Sequence, residues 1–161
     1  MQTSKSLLAL PQSPQGRSLQ LASQKPTHTL VVVDPSVEDS VALMQAVNEA
    51  AEIFLLDSRR SGLEQITEVL AHHCQIQHLQ IIALGCPGRV KLGSTWLDME
   101  QLDRYRSALH NWRQAFMAET TIFFYDCTIA LGTEGMAFVG CLSQLTGAVI
   151  SVSCSPYGQE W

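Results

Sequence analysis

Chemistry in this chain has to come from five cysteines, five histidines or the carboxylates that close its apolar runs. The densest group of ligand-type residues is His72, His73, Cys74 and His78. A zinc site needs ligands that converge, usually four of them. His72 and His73 are neighbours at the end of a helical stretch, so they diverge by about 100°. They read as a solvated helix end, where imidazole suits the helix dipole, and no metal is assigned. Cys74, Cys86, Cys127, Cys141 and Cys154 are odd in number and contain no Cys-x-x-Cys, which argues against a disulfide framework. The first apolar run is followed by Asp34-Pro35-Ser36-Val37 in place of a glycine-rich phosphate loop, and Gly-x-x-x-x-Gly-Lys-Ser/Thr is absent. No nucleotide or other cofactor is assigned. A phospho-receiver wants a carboxylate at the end of its third strand, and Leu84 stands there.

These residues are carried by short apolar runs that alternate with amphipathic stretches. Leu30 to Val33, Ala51 to Leu56, Leu79 to Leu84, Thr121 to Tyr125 and Ala148 to Val152 read as strands. Helices are expected over Asp39 to Asn48, after Ser61-Gly62, from Met99 to Phe116, and over Gly135 to Leu145. Arg89 to Leu92 reads as a short hairpin after the third strand. Such alternation specifies an α/β fold: a mostly parallel sheet, buried on both faces, in a three-layer α/β/α sandwich. Ligands of such sheets sit beyond the carboxyl ends of the strands, so the loops from Asp34, Asp57, Leu84 and Tyr125 carry the interest. Asp34 and Asp57 read as helix caps; Trp96, Trp112 and Trp161 read as packing residues. Arg59 and Arg60 read as partners for acids of the body or of another protein.

With 161 residues the chain has room for one domain of ordinary size. Its 46% hydrophobic and 16% charged composition excludes a fully disordered protein. No apolar run approaches the roughly 20 residues of a membrane span, so no membrane insertion is expected. A net charge of −5 argues against nucleic acid as a partner. No secretory signal pattern is evident, so a cytoplasmic location is expected, with export by another route as the alternative. Residues 1–27 differ from the body at 28–161: they hold Lys5, Arg17 and Lys25 and no acid. The remaining seven Lys/Arg stand against all fifteen Asp/Glu, so a +3 arm precedes a −8 body. Prolines 11, 14 and 26 restrict the arm to extended chain or at most two turns of helix. Leu7, Leu8, Leu10, Arg17, Leu19, Leu21 and Lys25 are its candidate grips on a partner.

Two strand-and-loop stretches carry a resemblance. One is Ile81-Ile82-Ala83-Leu84-Gly85-Cys86-Pro87-Gly88 with Leu92-Gly93-Ser94-Thr95-Trp96-Leu97. The other is Ile122-Phe123-Phe124-Tyr125-Asp126-Cys127-Thr128-Ile129-Ala130, with Gly132, Gly135, Phe138 and Leu145-Thr146-Gly147-Ala148. Together with Leu55 to Ile66 they resemble an uncharacterised bacterial domain of unknown function found at the N-termini of very large adhesin-like and cadherin-repeat surface proteins. The resemblance spans about Leu30 to Gly158. It implies a caspase-like or gingipain-like fold with flavodoxin-like strand order. It also implies a histidine after the third strand facing a cysteine after the fourth.

In this chain Cys127 stands at the nucleophile position, but Leu84 replaces the histidine, followed by Gly85, and Asp126 replaces the glycine before the cysteine. A leucine accepts no proton, and a neighbouring carboxylate raises a thiol's pKa. The site is therefore expected to be vestigial, with Cys127 near Leu84 and no histidine within reach. The reading is a non-enzymatic scaffold or linker subunit, docked through its arm onto other protein subunits of a larger assembly and compatible with homo-oligomers. The alternative is a cysteine peptidase-like enzyme using Cys127.

Overall fold

The computed structural model describes residues 25–38, 40–46, 50–125 and 127–153. The chain enters as β1 (Lys25–Pro26) and β2 (Thr29–Val33), followed by α1 (Ser40–Ala46) and β3 (Glu52–Leu55). Helix α2 (Gly62–Ala71), β4 (His73–Cys74) and β5 (Ile76–Ile82) come next. Three short strands, β6 (Gly85–Cys86), β7 (Arg89–Leu92) and β8 (Thr95–Leu97), precede α3 (Met99–Arg104) and α4 (Arg106–Asn111). Strand β9 (Phe116–Phe124), a 3₁₀ turn at Cys127–Ala130, α5 (Gly132–Thr146) and β10 (Val149–Val152) complete the order.

The central sheet has five strands in the order β10-β9-β5-β2-β3, every pair parallel. Counted along the chain this is 2-1-3-4-5, the flavodoxin-like order. Leu30 to Val33 are all fully buried, so β2 is covered on both faces as its continuous apolar run requires. Leu30, Val32, Leu79, Ile81, Ile122 and Phe124 share one large core with side chains from α2, α3, α4 and α5. Val31, Val33 and Ile82 face the other way and pack with Met44 of α1. Right-handed crossovers explain the division: the chain steps one way from β2 to β3 and the other way from β3 through β5 to β9 and β10, so α1 lies opposite the other helices.

Several expected boundaries move. The helix expected from Met99 to Phe116 ends with a 3₁₀ turn at Trp112–Gln114 and is interrupted at Tyr105, and Phe116 already belongs to β9. The interruption is local, because Tyr105 N–H still donates to Gln101 O and Leu109 N–H to Tyr105 O. Strand β5 stops at Ile82, leaving Leu84 beyond it. The expected hairpin is a three-stranded antiparallel sheet, β6-β7-β8. His73 is not a solvated helix end: it is buried, opens β4, and has Nδ1 2.6 Å from Val69 O and Nε2 3.1 Å from Glu52 Oε2. Helix α2 is capped at Ser61, whose side chain accepts from Glu64 N–H.

Asp34 and Asp57 are not helix caps either. Asp57 Oδ1 accepts from the Arg59 backbone and side chain within its own loop. Asp34 is buried, accepts from the Ser36 N–H at 2.9 Å and, through Oδ2, from Gly93 N–H at 2.6 Å. That second bond joins the end of β2 to the β7–β8 turn across 59 residues. Charge-assisted hydrogen bonds of this kind contribute roughly 1.5–3 kcal/mol. Asp34→Asn, which keeps the shape and removes the charge, is expected to lower unfolding free energy by about 2 kcal/mol in urea denaturation. A change below about 0.5 kcal/mol would show that the clamp contributes little.

Candidate functional site

Doubly wound sheets offer their binding crevice where the strand order reverses, here at the carboxyl ends of β2 and β5. In this chain the crevice receives the β7–β8 turn. Gly93 N–H is held by Asp34, Gly93 O accepts from Lys91 Nζ at 2.8 Å, and Ser61 bridges to Gly93. The space next to it, between the ends of β5 and β9, is where the two resembling stretches meet. Ile81 pairs with Phe124, and Tyr125 N–H donates to Ile81 O at 3.1 Å.

Beyond that pairing, two loops are joined. Leu84 is 44% exposed, and its carbonyl accepts from Lys91 N–H as the chain turns into the small sheet. Thr128 Oγ1 donates to Gly85 O at 3.2 Å, and Gly88 N–H donates to Ile129 O at 3.0 Å. Ile129 is fully buried and fills the space over Gly85, where an added Cβ would lie 2.4 Å from its Cγ1. The close approach is why Gly85 has no side chain. Cys127 opens the 3₁₀ turn directly after β9, at the same edge of the sheet as Leu84 and Gly85. Asp126 and the Cys127 side chain lie outside the described residues, as do Leu7, Leu8, Leu10, Arg17, Leu19, Leu21 and Trp161. Lys25 begins β1, which pairs in parallel with His73–Cys74, so the root of the arm is attached to the body.

All five histidines fall within the described residues, and none belongs to these loops. His28 precedes β2, His72 and His73 lie between α2 and β5, His78 is early in β5, and His110 is in α4. By register, Lys25 pairs with His73 and Thr29 with His78, which puts both at the amino edge. Among the described residues no group of three or more His, Cys, Asp or Glu is placed to hold a metal ion. No helix among them is long and apolar enough to cross a membrane.

Cys86, Arg89 and Tyr125 are further polar groups on the two joined loops. Arg89 Nε donates to Cys86 Sγ at 3.0 Å and its guanidinium lies 4.6 Å from the Trp96 ring centroid. Trp96 is therefore a partly exposed stacking partner, whereas Trp112 is core. Sequence reasoning passed over the Arg89–Trp96 pair; their places on adjacent antiparallel strands were its signal. Half-burial pushes the Tyr125 phenol above its ordinary 10 because desolvation disfavours the phenolate. A group whose folded pKa is raised contributes stability below its unfolded pKa and loses it as pH rises through the folded value. Stability is thus expected to fall above about pH 10, less steeply in Tyr125→Phe. Absorbance titration should show a late phenol that this variant removes.

The fold and this edge define a doubly wound α/β domain whose carboxyl-edge loops are joined to one another. A family model described as Domain of unknown function (DUF4347) matches residues 30–161. The chain belongs to that family. A search of curated proteins found no match.

Proposed function

We propose that this domain is a non-catalytic scaffold or linker subunit, a caspase-like fold that has lost its catalytic histidine and attaches to a larger protein assembly through its N-terminal arm. The observation that carries the reading is the composition of the carboxyl edge. The third-strand loop presents an exposed Leu84 beside the Cys127 turn, while the five histidines belong to the amino edge, an amino-side strand end or a helix. A thiol near pH 7 needs a neighbouring base to become a nucleophile, and Leu84 provides none. The adhesin-like setting of the resembling proteins suits an assembly role. The +3 arm against the −8 body supports attachment by a charge-segregated segment.

Two measurements test this. Deleting residues 2–24, which spares the paired Lys25–Thr27, should leave the circular dichroism spectrum and melting of the body intact while abolishing co-assembly in native mass spectrometry. Unchanged assembly would remove the arm's role. Alkylation of Cys127 should show a midpoint no lower than that of a free thiol; a midpoint well below about 8.5 would instead favour the cysteine peptidase-like enzyme.

A further inference from the structure

At the carboxyl edge, outside the Leu84–Cys127 junction, lies an open groove. A cavity of about 780 Å³ between the β6–β7 turn and the starts of α3 and α5 shares Pro87, Thr133 and Glu134 with a second of about 370 Å³ that reaches Leu131. Its walls include Met99 and its rim carries Asp98, Glu100 and Glu134 against one guanidinium, Arg89. Arg89 is already engaged by Cys86 and Trp96, and Asp98 accepts from Gln101 N–H as the cap of α3. Glu100 and Glu134 are exposed and make no ion pair with another described residue. Leu131, Met99 and, one turn into α5, Met136 are 54%, 44% and 66% exposed. Large exposed apolar side chains gathered around a concave, acid-rimmed surface mark an interaction site.

We propose that the occupant is the chain's own Lys5–Leu10 segment, Lys-Ser-Leu-Leu-Ala-Leu, docked intramolecularly with its ammonium at Glu100 and Glu134 and its leucines along Pro87, Met99 and Leu131. The chemistry matches: one cation, three leucines and no acid. Reach selects this segment over Arg17–Leu21. Lys25 sits at the amino edge beside His73, and β5 alone separates the edges by roughly 20 Å. Arg17, eight residues before Lys25, reaches at most about 26 Å, too little to pass around the body. Leu10, fifteen residues before it, reaches about 50 Å. Covalent attachment to the body gives the segment an effective concentration on the order of millimolar, which favours its own groove over another copy's. The proposal rests on the arm being a binding element and adds its regulation, because an outside partner must compete with the groove.

The test uses the full chain as a dilute mixture of ¹⁴N and ¹⁵N copies, treated with a zero-length carbodiimide cross-linker and mapped by mass spectrometry. The expected product links Lys5 to Glu100 or Glu134 within one isotopic copy. Its yield should fall at least tenfold in the Glu100→Gln, Glu134→Gln double variant, whose isosteric surface changes leave the fold intact. Mixed-isotope links would overturn the proposal in favour of a second copy. No Lys5 link to either glutamate, the result if the groove serves a foreign peptide, would overturn it too. Loss of assembly on arm deletion without the cross-link would leave the scaffold reading standing; the cross-link with unchanged assembly would do the reverse.

Discussion

Replacing Trp112 by alanine is expected to lower the unfolding free energy by about 4 kcal/mol. Trp112 is 2% exposed and belongs to the main core. Its indole Nε1–H donates to Thr67 Oγ1 at 2.9 Å, which ties the end of α4 to α2 across 45 residues. Its ring meets Phe116 edge-on, centroids 6.4 Å apart, at the point where helix gives way to β9. Truncating a buried Trp or Phe to Ala typically costs 3–5 kcal/mol through lost transfer energy and the cavity left behind. Against a domain stability of about 5–15 kcal/mol, this takes away a large share. Urea denaturation should show it as a lower midpoint with little change in slope. Trp112→Phe keeps most of the volume and drops the hydrogen bond, so a loss near 1–2 kcal/mol is expected. Equal losses in the two variants would mean that the hydrogen bond, and not the packing, dominates.

Gly135→Ala is expected to destabilise the domain by about 3 kcal/mol, against the sign of helix propensity. Within a helix Ala is favoured over Gly by roughly 1 kcal/mol, and Gly135 lies in the first turns of α5. Here an added Cβ would sit 2.3 Å from the Ala130 carbonyl carbon and 2.6 Å from Ile129 O. Both are backbone atoms of the turn that begins at Cys127, so no side-chain rotation relieves the clash. Overpacking costs typically 1–3 kcal/mol, occasionally more, and backbone contacts belong at the upper end. The relief must come from moving the 3₁₀ turn, which is hydrogen-bonded through Ile129 O to Gly88 and through Thr128 to Gly85. Thermal melting should fall by about 10 °C for a domain of this size. A higher melting temperature in the variant would show that helix propensity wins and that the turn yields freely.

Both residues show how far local pattern reaches. The alternation of apolar runs and amphipathic stretches determined the element order, and burial on both faces followed from the unbroken apolar character of Leu30 to Val33. Leu63, Ile66 and Leu70 at helical spacing are the buried stripe of α2. Positions of the chemistry-bearing loops followed too, because a parallel sheet puts every strand-to-helix loop at one edge. Boundaries were less legible. Trp112 and Phe116 continue the spacing of Leu102, Tyr105 and Leu109, so periodicity carried the helix too far; the pairing of Phe116 with Ile76 claims it for the sheet.

Other features are contacts between residues distant in the chain. The Asp34 clamp on Gly93, Ile129 over Gly85, the burial of His73 against Val69 and Glu52, and the acid-rimmed groove between three separate elements are of this kind. A carboxylate after a strand has the same local signature whether it caps a helix or holds a distant turn. The sequence alone determined the five strands of the central sheet, the main helices between them and the sheet edge at which their loops emerge, because hydrophobic periodicity and chain connectivity are local. Only the tertiary structure decided which loops touch and which polar groups are consumed in joining them, because those choices depend on close packing and hydrogen-bond satisfaction across the whole chain.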